Sequence, residues 1–168
     1  MGLEGPVGYK VRRAEVADAE ALVGLRVQML ADMGQDVGGD DDPWRAIARE
    51  WFAERLRDRR EFACFVIDDP GSGVVACAAG VCDHHAPGPA NLSGVRGHVF
   101  NMSTAPSHRR LGYARACLQA LLAWFREQTG ARVINLFASQ DGIALYRSLG
   151  FDVPGHPGLQ LRLADPES

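Results

Sequence analysis

The sequence has no long apolar run, no CxxC pair and no excess of positive charge, and each absence removes a class of function. A helical membrane span needs about 20 consecutive apolar residues. The opening MGLEGPVGYK has no such region, so neither a span nor a secretory signal is expected there. Pro6 stands where a myristoylation signal calls for Ser or Thr. A net charge of −3 and a pI near 5.9 argue against a general nucleic-acid binder, which carries a basic face. The four cysteines, Cys64, Cys77, Cys82 and Cys117, fall singly inside apolar runs. That placement predicts buried thiols of a cytoplasmic protein, with neither disulfides nor a zinc site. The adjacent histidines of CDHH, Cys82 to His85, do not change this. Neighbours on an extended chain point opposite ways, and no second ligand group stands at zinc spacing, so no metal is expected.

What is present reads as one folded domain. The chain has 168 residues, 46% hydrophobic and 23% charged, and a chain of that size buries nearly 70% of its unfolded surface. The domain is expected to run from 7 to 165 behind a flexible N-terminus, 1–6. YKVRRA alternates as a first strand, and VADAEALVGLRVQMLADM has helical spacing with Asp18 as its cap. After a glycine-rich acidic loop, a second helix from Trp44 aligns Trp44, Ile47, Ala48, Trp51, Phe52 and Leu56, and the two tryptophans are expected in the core. EFACFVIDD and VVACAAGVCD read as a hairpin across PGSG. RGHVFNMSTA is a strand ending at Pro106, followed by a helix over Tyr113 to Gln128 that stops at Thr129-Gly130. ARVINLFAS is a further strand, DGIALYRSLG a short helix closed by Gly150, and FDVPGHPGLQLRL a broken terminal strand or hairpin. The order β-α-α-β-β-β-α-β-α-β predicts an α/β domain with a mixed, mostly antiparallel sheet and helices on both faces.

One stretch carries chemistry. RRLGYA, Arg109 to Ala114, stands where a strand hands over to a helix. The first N–H groups of a helix have no internal partner and mark the positive end of its dipole, which attracts phosphate. Gly112 lets the backbone approach an anion without a Cβ between them, and Ala114 keeps the next position small. Arg109, Arg110 and Arg115 add forked donors suited to phosphate oxygens. The chain has neither GxxxxGK[ST] nor GxGxxG, so this cradle is not that of a P-loop hydrolase or a dinucleotide-binding enzyme.

Arg109-x-x-Gly112-x-Ala114 after a strand resembles the acyl-CoA pyrophosphate motif of the GCN5-related N-acetyltransferases (GNAT). ALYRSLGF, Ala144 to Phe151, is similar to the family's second signature, a short helix bearing a tyrosine before Leu-Gly-Phe. Both occur in the family's order, and the resemblance covers nearly the whole chain. It implies a GNAT-like fold with a splayed central strand pair, and an acetyl-CoA-dependent N-acetyltransferase that works without a metal. The backbone of Met102, Ser103 and Thr104 would pair with the pantetheine arm. The amides of Arg109, Arg110, Leu111, Gly112, Tyr113 and Ala114, with Arg115 nearby, would hold the pyrophosphate. Tyr146 would protonate the departing thiolate.

His98 occupies the position where some members carry a glutamate base, and its ordinary pKa suits neutral pH. Asn101 is expected either to orient the acceptor or to stabilise the splay, and Asp83 to help bind an amine. The acidic loop from Asp32 to Asp42 either steers a cationic acceptor or is a solvated loop whose Asp42 caps the second helix. The acceptor is expected to be a primary amine of a small molecule or peptide, with direct transfer because no cysteine stands at the motif positions. A non-catalytic CoA-binding sensor of the same fold is the alternative, followed by transfer of a longer acyl group or transfer to a hydroxyl. Sheet-edge pairing into a homodimer is common among similar proteins.

Overall fold

The computed structural model of the chain describes residues 8–164. Both ends of the expected domain, Val7 and Asp165, and the expected flexible segment 1–6 lie outside the described residues. The chain divides into two compact units, Met1–Phe137 and Ala138–Ser168. The first holds β1 (Val11–Arg13), α1 (Ala19–Asp32), α2 (Pro43–Arg57), β2 (Phe62–Asp69), β3 (Gly73–His84), β4 (Val95–Thr104), α3 (Tyr113–Gln128) and β5 (Val133–Asn135). The second holds α4 (Ile143–Ser148).

The strands form one five-stranded sheet in the order β1-β2-β3-β4-β5. All neighbours are antiparallel except β4 and β5, which are parallel, as a β-α-β crossover requires. Phe62, Cys64 and Val66 of β2 and Cys77 and Ala79 of β3 join Leu22, Val23 and Leu25 of α1 and Phe52 and Leu56 of α2 in one buried cluster. Helix α3 covers the opposite face. A Cβ on Gly80 or on Gly97 would stand 2.7 Å from the ring of Phe125, so these two glycines let α3 lie close against the sheet. All four cysteines are buried free thiols, and burial pushes those of Cys64 and Cys117 well up.

The helix expected over Tyr113 to Gln128 has those bounds. Thr129 ends it by donating its hydroxyl to the Phe125 carbonyl at 2.7 Å. Asp42 caps α2 as expected, accepting from the Trp44 amide. Three expectations change. Asp18 precedes α1 but makes no side-chain cap, because Arg12 takes both its carboxylate oxygens at 2.8 Å. Trp51 is 40% exposed and Ile47 66%, so the expected apolar face of α2 buries only Phe52 and Leu56 and leaves a rim. Residues 151–164 form no strand. Pro154 and Pro157 remove backbone donors there, and Leu159, Leu161 and Leu163 stay more than 80% exposed, burying no apolar face that would hold a strand in register.

Candidate active site: a strand end, a left-handed loop and a helix start

β4 is longer than its neighbour on the outer side. It pairs with β5 only through Arg96, Gly97 and His98, against Val133, Ile134 and Asn135. Val99 to Thr104 therefore run on with that edge unpaired among the described residues, offering alternate N–H and C=O groups to a ligand. The register with β3 shifts between Cys77 and Ala79, opposite Asn101, whose φ of 50° lies in the left-handed region. A bulge at that point bends the strand and turns side chains off the regular alternation.

The bulge settles where Asn101 points. It is 2% exposed, its Oδ1 accepts from Arg26 at 3.2 Å, and Cys77 donates its thiol to the Asn101 carbonyl at 3.0 Å. Asn101 thus links β4 to α1 and β3. Past it, Met102 and Thr104 are half-buried and Ser103 is buried, and the Thr104 hydroxyl is buried with no hydrogen-bond partner among the described residues.

The loop beyond the strand has two left-handed residues, Arg110 at φ 65° and Gly112 at φ 82°. Alternating hands aim successive amides into one concavity. Gly112 is also the N-cap of α3, supplies no side-chain cap, and is followed by a first turn without an acidic residue. The Ala116 amide bonds back to the Gly112 carbonyl at 3.1 Å. Arg110 and Arg115 are exposed. Arg109 is tied back: its Nε donates to the Thr104 carbonyl at 3.0 Å and its Nη2 to Asp32 at 2.5 Å. The uncapped helix start, the left-handed glycine and the unpartnered Thr104 hydroxyl all suit the pyrophosphate and pantetheine of CoA.

His98 lies on the face of β4 that meets α1 and α2, half-buried, its ring parallel to Phe100 at 6.1 Å and edge-on to Phe137 at 5.9 Å. Asp83 is exposed on β3 directly opposite Arg96, two residues along from the Val81–His98 pair. Four of the five aspartates of the acidic loop are engaged, two of them by arginines. Asp32 holds Arg109, Asp36 accepts from the Gly38 amide, Asp40 pairs with Arg45 at 2.8 Å and Asp42 caps α2. Only Asp41 has no partner among the described residues.

Within the second unit, α4 buries Tyr146. Its ring packs edge-on against Phe151 at 6.0 Å and so closely on Gly142 that a Cβ there would stand 2.9 Å from Cε2. Burial pushes its phenol above the ordinary value, so the hydroxyl is protonated at neutral pH. No group of three or more metal-ligating side chains exists among the described residues, and no helix there is long and apolar enough to cross a membrane.

Sequence reasoning missed Arg26, Phe137 and Gly142. Arg26 was legible as the one charge on the apolar stripe of α1, four residues past Leu22 and three past Val23. Phe137 and Gly142 had no local signal.

A strand edge left open beside an uncapped, glycine-started helix defines the class: an α/β acyl-CoA-binding transferase domain. The sequence matches the Acetyltransferase (GNAT) family over residues 28–151, and the chain belongs to that family. It is an acyl-CoA acyltransferase. No curated relative matches it. Among solved structures it is similar to a predicted acetyltransferase from Clostridium acetobutylicum crystallised with acetyl-CoA, with a TM-score of 0.80 and 25% identity over 92% of this chain and 96% of that one. A GCN5-related N-acetyltransferase from Ralstonia eutropha has a TM-score of 0.75 at 24% identity, covering 92% and 99%. Glucosamine-6-phosphate N-acetyltransferase from Arabidopsis thaliana has a TM-score of 0.68 at 15% identity, covering 93% and 97%. The last two share the fold alone.

Proposed function

We propose that this acetyltransferase moves the acetyl group of acetyl-CoA directly to a primary amine of a small molecule or peptide. The observation that carries the reading is the free edge of Val99–Thr104 leading into the uncapped start of α3 at Gly112. In this reading the backbone of Met102, Ser103 and Thr104 pairs with pantetheine. The amides from Arg109 to Ala114, with Arg110 and Arg115, hold the pyrophosphate, replacing its lost water with fixed donors. The thioester supplies an acetyl carbon that a neutral amine attacks. A bond forms from the amine nitrogen to that carbon while the carbon–sulfur bond breaks. His98 accepts the ammonium proton, and Tyr146 gives a proton to the sulfur that leaves. Its buried, protonated phenol suits that donation.

The test has two parts. Calorimetry with acetyl-CoA should show one site per chain, and Gly112→Asp should abolish it by putting a carboxylate where the pyrophosphate sits. Thiol release should then depend on added amine. Binding without thiol release across an amine panel would favour the CoA-sensing alternative, and no binding at millimolar acetyl-CoA would overturn the assignment.

A further inference from the structure

The sheet face under α1 and α2 carries a row of rings that the core does not use up. Phe52 and Phe62 are buried at its inner end, each 1% exposed. From there Trp51 stands edge-on to Phe100 at 5.8 Å, Phe100 lies parallel to His98 at 6.1 Å, and His98 meets Phe137 at 5.9 Å. The outer members are open, Trp51 at 40% and Phe137 at 88% exposure. Single exposed apolar residues are ordinary. Here two open rings flank half-buried Phe100 and His98 in one continuous line, and His98 is the residue assigned above to the acceptor's proton. Planar groups favour stacked or edge-on partners at these spacings.

The charge beside this row is unusual. Arg26 stands on the stripe of α1 that buries Leu22, Val23 and Leu25, and its guanidinium reaches Asn101, the neighbour of Phe100. Its one described side-chain partner is that neutral amide oxygen, and no carboxylate pairs with it among the described residues. Desolvation lowers its pKa, with no acidic group offsetting it. A half-buried cation without a counter-ion is costly unless something supplies the anion. The acidic loop does not supply one, since four of its five aspartates are engaged elsewhere.

We propose that the acceptor is an aromatic amine bearing a carboxylate. Its ring lies between Phe100 and Phe137, its carboxylate pairs with Arg26, and its amine is presented to His98. A guanidinium fork and a carboxylate match in shape and charge. This inference rests on the acetyl-transfer reading for its chemistry, and on the ring row and Arg26 alone for its binding.

Three ligands separate the contributions: L-phenylalanine, phenethylamine, which lacks the carboxylate, and L-alanine, which lacks the ring. Calorimetry on the full chain, with and without saturating CoA, should give phenylalanine the tightest binding by at least about tenfold over either analogue. Arg26→Gln should abolish the preference for phenylalanine over phenethylamine, and Arg26→Lys should restore part of it. Phe137→Ala should weaken both ring-bearing ligands and leave alanine unchanged. Equal binding of the three, no binding of any, or a preference untouched by Arg26→Gln would overturn the proposal. If Arg26→Gln does not fold, the three-ligand comparison on the unaltered chain decides. Loss of acetyl-CoA binding with phenylalanine still bound would sink the transfer reading alone. Turnover that prefers phenethylamine or alanine would sink the acceptor alone.

Discussion

Arg109 bridges the end of β4 and the end of α1: one nitrogen donates to the Thr104 carbonyl and another to the Asp32 carboxylate, 77 residues away in sequence. The first arginine of the loop proposed to hold the pyrophosphate therefore arrives already neutralised. Asp32→Asn should leave a net positive charge facing the cofactor. Acetyl-CoA affinity is then expected to rise severalfold at low salt, with the gain disappearing near 1 M salt, where the screening length falls to about 3 Å. Calorimetry at two ionic strengths checks it, and unchanged affinity at low salt would show that Arg109 serves the strand end alone.

Gly112 combines φ 82° with an N-cap position. Gly112→Ala forces a side chain into left-handed backbone, at a cost of about 1–2 kcal/mol, and places a methyl beside the amides. The melting temperature should drop by a few degrees. Acetyl-CoA affinity should fall by more than that stability loss implies, because the methyl also blocks close approach.

Tyr146→Phe keeps the packing against Phe151 and Gly142 and removes only the hydroxyl. On the assigned role, kcat should fall by about 10²-fold or more with acetyl-CoA binding unchanged. Steady-state kinetics alongside calorimetry would expose a merely structural tyrosine as an unaltered kcat.

Gly97→Ala drives a methyl to within 2.7 Å of Phe125 under α3. Overpacking of this kind costs about 1–3 kcal/mol. Denaturant unfolding should show that loss, and Phe125→Leu in the same chain should recover part of it; additive losses would mean the contact is not the cause.

Arg12 grips Asp18 through both carboxylate oxygens and also holds Asp68, and this bonding keeps the Asp18 carboxyl below the usual carboxylate range. A depressed folded pKa contributes stability that is complete above the unfolded value, about 3.9, and is lost as pH falls through the folded value. Asp18→Asn should therefore destabilise the chain by about 1–3 kcal/mol near neutral pH, the scale of charge-assisted hydrogen bonds. The difference from the parent should shrink below about pH 4. A gap that stayed constant down to pH 2 in urea melts would rule out the ion pair as its origin.

The sequence by itself determined the features that are local properties of the chain. The α3 boundaries, the hairpin turn and the loop-to-helix turn at RRLGYA follow from helical periodicity, from prolines and from a glycine free to take positive φ, all within a few residues. Tertiary structure decided everything that depends on a partner distant in sequence. The same alternation that made 151–163 look like a strand formed none, because a strand needs an edge to pair with and a face to bury. Trp51 shares the helical stripe of Phe52 and Leu56, yet only packing against the sheet could show that the stripe runs past the core's edge. No local pattern showed that Asn101 meets Arg26 of α1, a contact made across 75 residues at the bulge between β3 and β4. Periodicity fixes which residues share a face; only the assembled sheet decides what that face meets.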